Sequence, residues 1–270
     1  MDNKELKELY YNGYARGREI DRLFGSKADN AEFIITNKYI GRYLHEGARV
    51  IDIGAGAGAY SRHLAAQGYA VDALDLHPLH VEQLTEALKD YDSARAFQAD
   101  AADLSAFPDN SYDLVLLLGP IYHLPDTEQR LAAISEALRV AKKGAPVFTA
   151  FCLQDAPLIE YIFQGEDPAL FLRSIGYDRD TATVTENTGS AIIIDTIASV
   201  NELTEKACAS LPAVKGIRFA QDGLSHIIRD AVNTMNDESY AEWIQYLTAT
   251  AEREELIGYS NHIVQILIKQ

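Results

Sequence analysis

Two rhythms of apolar and polar positions alternate along this chain. The first is a short apolar run closed by a polar or glycine residue. It occurs in "RVIDIG" (49–54), "YAVDALDL" (69–76), "ARAFQAD" (94–100), "SYDLVLLLG" (111–119) and "APVFTAFC" (145–152). Runs of this length predict strands. The second rhythm repeats every three to four residues and predicts helices in "AYSRHLAAQG", "PLHVEQLTEALKDY" and "TEQRLAAISEALRVAKKG". Gly68 closes the first of these. Pro78 opens the second, where its missing N–H costs nothing. The third ends in basic residues and glycine, which suits the negative end of a helix dipole and a glycine cap. Phe33, Ile34, Tyr39, Ile40 and Leu44 predict a further helix over 29–44, and residues 2–12 a short one before "NGYARG".

Strand and helix in alternation predict an α/β fold, a doubly wound seven-stranded and mostly parallel sheet. The continuous apolar stretch in "SYDLVLLLG" suits a strand covered on both faces. Ligands of such sheets sit outside the carboxyl ends of the strands. The positions to inspect are therefore Asp52 to Gly58, Asp75, Asp100 and Leu118 to His123. After residue 152 the rhythm changes. Residues 155–190 are irregular and acidic. "SAIIIDTIAS" predicts a strand, and "SVNELTEKACASL" a helix whose Ser199 and Glu202 have capping-box spacing. "AVKGIRFAQDG" and "NHIVQILIK" predict strands on either side of a helical stretch over 224–256.

A chain of 270 residues, 47 % apolar, can bury a large core. Its formal net charge of −16 argues against general affinity for nucleic acid or anionic membrane. Cys152 and Cys208 lack metal-ligand spacing and predict two buried, reduced thiols. The polar N-terminus has no apolar core of a signal sequence, and no apolar run is long enough to span a bilayer. A cytoplasmic monomer or homodimer with a small-molecule partner is expected, with no nucleic-acid or membrane partner and no metal.

The central motif is "VIDIGAGAGAY" (50–60). Gly54, Gly56 and Ala59 loosely fit the dinucleotide pattern G-x-G-x-x-G/A. Asp52 is the exception. A dinucleotide-binding strand is normally apolar at that place, and a buried carboxylate is costly without a polar or cationic partner. S-adenosylmethionine brings an ammonium and a sulfonium and no diphosphate. Glycines at 54, 56 and 58 would let the backbone approach the methionine end closely. Asp75, 21 residues after Gly54, is placed to accept from two ribose hydroxyls, a device that both cofactor classes use.

Asp52 to Gly58, D-x-G-x-G-x-G, resembles motif I of the class I S-adenosylmethionine-dependent methyltransferases. Asp100 and Ala101 in "FQADAADLSAFPDNSYD" are similar to the family's adenine-facing acidic loop, and "LSAFPDNSYDLV" to its link into strand four. The resemblance covers roughly residues 40–153. The strand-four end and the double-tyrosine N-terminus also look like a small bacterial subgroup with a GPxYHL sequence there and no assigned substrate. The resemblance implies a Rossmann-like sheet whose last strand is antiparallel. It implies S-adenosyl-L-methionine as cofactor and S-adenosyl-L-homocysteine as product. Its cofactor residues would be Asp52, Gly54, Ala55, Gly56, Gly58, Asp75, Leu76, Asp100, Ala101 and Leu118, with Tyr11 and Tyr14 from an N-terminal segment that folds over the cofactor.

The expected organisation is an N-terminal helical lid (1–47), a cofactor-binding core (48–153), a cap insertion (154–198) and the end of the sheet (199–270) with a helical insertion at about 221–258. The cap would hold Tyr161, Phe163, Phe171, Tyr177, Trp243 and Tyr246, mostly as its own core. Methyl transfer needs alignment and desolvation more than a catalytic side chain. Tyr122 and His123 are the catalytic candidates, because they follow the strand-four end and histidine titrates near working pH. Each also has a plain structural role open to it, as do His226 and His262. In "GPIYH", Gly119 and Ile121 replace the acceptor-holding residue and second proline of nucleobase amino-methyltransferases, so O or N of a small molecule is the expected acceptor. An NAD(P)-dependent oxidoreductase and a catalytically silent S-adenosylmethionine-binding protein are the alternatives.

Overall fold

One mixed sheet organises the chain in its computed structural model, which describes residues 22–270 apart from 125, 166, 175, 179, 182, 185–191 and 193. Helix α1 (Lys27–Ile40) comes first. It is followed by β1 (Arg49–Ile53), α2 (Ala59–Ala66), β2 (Ala70–Asp75), α3 (Pro78–Leu88), β3 (Ala94–Gln98) and β4 (Leu114–Leu117). A 3-10 turn (Pro120–His123) leads into α4 (Thr127–Val140) and β5 (Pro146–Leu153). The strand order is β3-β2-β1-β4-β5-β10-β9, where β9 is Ala213–Ala220 and β10 is His262–Lys269. β10 runs antiparallel between β5 and β9, and the other main strands are mutually parallel. An eighth strand of two residues, β8 (Ile194–Asp195), pairs with the carboxyl end of β5. The winding reverses between β1 and β4, so the loops that follow these two strands flank the switch point.

Strand parity sets what each face carries. Ile51 and Ile53 point into a core with α4 and α7 (Ile197–Ser210), together with Val147, Phe151, Ile263 and Leu267. Val50, Phe148, Ala150, Val264 and Ile266 point to the opposite face, packed by α1, α2 and α3. Asp52 shares parity with Val50, and Cys152 and His262 with Phe148 and Val264. These three polar groups therefore belong to the α1 face.

α1 is a core layer: Ile35, Tyr39 and Ile40 are fully buried, and the Tyr39 ring stacks on Phe219 of β9 at 3.8 Å. Its start is held by the C-terminal helices. The Ala28 N–H donates to Asn233, the Lys27 ammonium pairs with Asp237, and the Tyr240 hydroxyl donates to the Lys27 carbonyl. The expected helix over 2–12 and the residues Tyr11 and Tyr14 lie outside the described residues.

Several expectations beyond residue 152 change. Among the described residues, "SAIIIDTIAS" is a strand at Ile194–Asp195 and helix from Ile197, where α7 begins. Its capping box is Thr196 with Ser199: the Ser199 N–H donates to Thr196 Oγ1, and the Thr196 N–H to Ser199 Oγ, both at 3.0 Å. Ser199 is thus the third residue of the helix rather than its cap. The stretch 224–256 divides into α8 (Arg229–Thr234), α9 (Asp237–Thr250) and the start of α10 (Glu254–Ile257), each restarted by a short turn. After β5, the described residues of 154–184 form two helices, α5 (Asp155–Phe163) and α6 (Pro168–Ser174), and a small hairpin of β6 (Tyr177–Asp178) and β7 (Thr183–Val184), where the sequence predicted irregular structure. Not all cap aromatics are core. Phe163 is 69 % exposed and Tyr246 is exposed, whereas the Trp243 indole N–H donates to Ser225. The Phe171 side chain lies outside what is described. Cys152 is buried, but Cys208 is only half-buried, and both are free thiols.

Candidate functional site

β1 passes the chain directly into the glycine turn. Gly54, Gly56 and Gly58 have φ of 72°, 57° and 84°, left-handed values that disfavour other residues. The N–H groups of Gly54 and Ala55 both donate to the Leu74 carbonyl, at 2.8 and 2.9 Å, and the Gly56 N–H donates to Asp75 Oδ2 at 3.0 Å. The turn is thereby tied to the end of β2. Close approach to a ligand is not what two of these glycines serve. A Cβ on Gly54 would lie 2.6 Å from Cδ and Cγ of Pro120, and one on Gly58 2.7 Å from Leu84 Cδ2. A Cβ on Gly119 would lie 2.8 Å from the Gly54 carbonyl oxygen. The glycines press the turn against the strand-four end, joining the two halves of the site.

Asp52 sits beneath this turn, 2 % exposed, and accepts from Ser61 Oγ of α2 at 2.6 Å. Burial pushes its carboxyl up to about 6, the Ser61 hydrogen bonds pull partly back, and the nearby Asp75 charge adds to the rise. None of these neighbours is a cation. Asp75 is also buried. Burial pushes it up, but His80 and the N–H groups of His77 and Gly56 outweigh that and hold it below the usual carboxylate range. Its Oδ1 accepts from the His77 N–H at 2.9 Å and lies 3.2 Å from His80 Nδ1. A carboxylate has about four lone-pair sites, so these contacts leave room for a further donor. Leu76, the next residue, is 62 % exposed at the strand end.

Asp100 lies beyond β3, which ends at Gln98, and not on the strand itself. Its exposed carboxylate accepts the Ala102 N–H at 2.9 Å, while Ala101 is buried in the core. Leu118 is half-buried just past β4. Tyr122 and His123 lie in the 3-10 turn with ring centroids 4.8 Å apart, and Tyr122 packs against the α1-face core.

Sequence reasoning did not single out Arg130 and Asp195. Arg130 of α4 is buried and forms a two-pronged pair with Asp195 of β8, at 3.1 and 3.0 Å. Its Nε donates to the carbonyls of Ile121 and Leu124, at 3.1 and 3.3 Å. The guanidinium therefore fixes both ends of the turn that carries Tyr122 and His123.

A second unforeseen network lies on the α1 face. Asp222, fully buried after β9, accepts from Ser260 Oγ, from the Asn261 N–H at 2.9 Å and from His262 Nδ1 at 3.1 Å. The same Nδ1 lies 3.4 Å from Glu32 Oε2 of α1, and Arg22 pairs with Glu32 at 2.9 and 3.2 Å. Glu32, Asp222 and His262 are within 4.8 Å of one another, a spacing that would also suit a metal ion. Here the Arg22 guanidinium already faces the Glu32 charge. His262 was visible in the sequence as a polar start to an apolar strand, but its partners are far away in the chain.

A sequence profile described as "Methyltransferase domain" matches residues 50–144. Over 108 residues the chain is 35 % identical to the 2-methyl-6-phytyl-1,4-hydroquinone methyltransferase of Synechocystis sp., covering 40 % of this chain and 33 % of that protein. Residues 50–144 thus match a methyltransferase domain. The chain is also 33 % identical over 104 residues to the ubiquinone biosynthesis O-methyltransferase of Pseudomonas savastanoi, covering 38 % of this chain and 43 % of that one. The chain thus matches under half the length of these relatives. In fold, it is similar to a SAM-dependent methyltransferase from Methanosarcina mazei, with a TM-score of 0.55 at 20 % identity, over 86 % of this chain and 96 % of that one. The matched stretch runs from β1 to the end of α4. It contains Asp52, the glycine turn, Asp75, Asp100, Tyr122 and His123, and leaves out Glu32, Cys152, Asp222 and His262. Among the described residues, no helix is long and apolar enough to cross a membrane.

Proposed function

We propose that the protein transfers a methyl group from S-adenosylmethionine to oxygen or nitrogen of a small-molecule acceptor. One observation carries this reading over a dinucleotide: Asp52 is a buried carboxylate under the glycine turn with no cation among the groups that act on it. A ligand with positive sulfur and nitrogen relieves that charge, and a diphosphate would worsen it. The residues present fit such a ligand. Asp52 would balance its positive end, and the remaining lone pair of Asp75 would accept from the ribose. Exposed Leu76 would cover the adenine, with the 100–102 turn beside it. When bound, the cofactor supplies an electrophilic methyl group. Tyr122, His123 and the cap would align the acceptor and exclude water. One cited relative is named for methylation of a hydroquinone and the other for O-methylation in ubiquinone biosynthesis, which supports an aromatic acceptor.

Parallel calorimetric titrations with S-adenosylmethionine, S-adenosylhomocysteine and NADH test the assignment. The first two are expected to bind and NADH not to. Binding of NADH alone would reverse the reading of Asp52.

The raised Asp52 carboxyl adds a pH signature. Its folded pKa of about 6 exceeds the ordinary value of 3.8, so the free protein holds this proton where the unfolded chain has lost it. The resulting stability is present below pH 3.8 and is lost as pH rises through 6. A cationic ligand prefers the ionised form. Its affinity should be full above pH 6 and fall up to about tenfold per pH unit below. Binding near pH 6 should release a proton, read as an enthalpy that varies with the buffer's ionisation heat. In Asp52→Asn both effects should vanish and affinity should drop. An affinity flat from pH 7 to 5 in the wild type would refute the charge argument.

A further inference from the structure

The network around His262 lies outside the matched methyltransferase stretch, yet it reaches the same edge of the sheet. His262 begins β10 and is paired in register with Cys152, near the carboxyl end of β5. Because β10 is antiparallel, its first residue lies where the parallel strands finish and where ligands bind. The His262 ring is 6.3 Å from the ring of Tyr122, whose turn also holds Pro120 against the glycine turn. The partners are buried deeper than the histidine: side-chain exposure is 0 % for Asp222 and 5 % for Glu32, but 17 % for His262. The imidazole is thus one outward end of a buried polar chain, and the Arg22 guanidinium, 26 % exposed, is the other.

Charge counting fixes its state. Asp222 and Glu32 contribute two negative charges and Arg22 one positive. A protonated His262 makes the group neutral, which a buried cluster favours. Both carboxylates face the same Nδ1, at 3.1 Å from Asp222 and 3.4 Å from Glu32, so that nitrogen carries a proton. His226 is 3.7 Å from Asp222, and Tyr60 also faces Glu32. Burial works against the His262 charge, but Cys152, Glu32 and Asp222 outweigh it and hold the ring well above its ordinary value.

Resting on the methyl-transfer reading, we propose that His262 is a standing imidazolium that binds the methyl acceptor as an oxyanion, so that the substrate is an acidic hydroxyl compound of the phenol or enol class. Such a residue is no general base, because a base must be unprotonated at rest. It acts earlier. Its positive charge lowers the pKa of the bound hydroxyl, whose proton leaves to solvent. The oxygen lone pair then forms the new bond to the methyl carbon as the carbon–sulfur bond breaks and its electron pair returns to sulfur. Anion and sulfonium become two neutral products. Tyr122 lies beside the ring at the right place to pack on a planar acceptor.

4-Nitrophenol tests this, because it ionises near neutral pH and only its phenolate absorbs in the visible. It is added to the protein saturated with S-adenosylhomocysteine. The bound dye should favour phenolate about tenfold or more over the free dye, as an adjacent opposite charge dictates. His262→Gln should lose the shift, His262→Lys should keep it, and Glu32→Gln should weaken it by releasing part of the hold on the proton. S-adenosylhomocysteine affinity, measured on each variant, should stay at the wild-type level. Its absence in the wild type would strike the methyl-transfer reading instead. A dye that stays unbound, binds as the neutral phenol, or shifts equally in His262→Gln would overturn the proposal.

Discussion

Asp75→Ala is expected to weaken S-adenosylhomocysteine binding by about a hundredfold. The carboxylate serves two purposes at once. In the free protein it accepts the Gly56 N–H at 3.0 Å and the His77 N–H at 2.9 Å, and it contacts His80. In the complex it would also accept from the ribose. Alanine leaves the Gly56 N–H without its partner and offers the ribose nothing. Each lost bond to a charged group is worth about 1.5–3 kcal/mol, and 1.4 kcal/mol is tenfold in affinity. The Gly56 bond is lost with and without ligand, so the ribose bond alone sets the affinity, at roughly tenfold to a hundredfold, and the loosened turn adds to it. Calorimetry gives the affinity, and thermal unfolding without ligand isolates the loosened turn. Asp75→Asn keeps the shape and one acceptor oxygen and should lose less. If the alanine variant binds within threefold of wild type, the ribose is held elsewhere.

How much of this could be read from the chain itself depended on distance along it. The central sheet could, because each strand and helix announces itself within ten to twenty residues: the apolar run of Leu114–Leu117, Pro78 at a helix start, the glycine turn after Ile53. Asp52 stood out because a carboxylate in an apolar strand is a local contradiction. The two charged networks could not. Arg130 sits in "TEQRLAAISEAL" and Glu32 in "AEFIITNK", and both resemble solvated helix positions. Their partners, Asp195 and His262, lie 65 and 230 positions away, and only the completed sheet brings them near. The glycines misled in a different way. Their spacing matched a ligand cradle, while the space above Gly54 and Gly58 is taken by Pro120 and Leu84. A left-handed φ can be inferred from a sequence; which atom fills the vacant Cβ position cannot.

Arg130→Ala is expected to be the most destabilising single change outside the apolar core. Arg130 and Asp195 are both buried, and the pair is two-pronged at 3.1 and 3.0 Å. Removing one partner of a buried pair leaves the other's charge uncompensated, at about 3–5 kcal/mol. Ser199 Oγ still donates to Asp195 at 2.9 Å, which places the loss at the lower end. For a chain of this size that corresponds to a fall of roughly 10 °C in unfolding temperature. Replacing both partners by apolar residues, Arg130→Met with Asp195→Leu, should recover part of it, because no lone charge remains. The double variant should still be impaired in turnover. The carbonyls of Ile121 and Leu124 lose their donor in both variants, so the turn with Tyr122 and His123 loosens. Cofactor affinity, set mainly by β1 and β2, should change only a few-fold. Stability and turnover thus separate: the pair with Asp195 governs the first, and the two carbonyl bonds govern the second. A single variant that unfolds within 3 °C of wild type would show that the pair does not carry the junction between α4 and β8. A double variant with full turnover would show that the turn keeps its shape without the guanidinium.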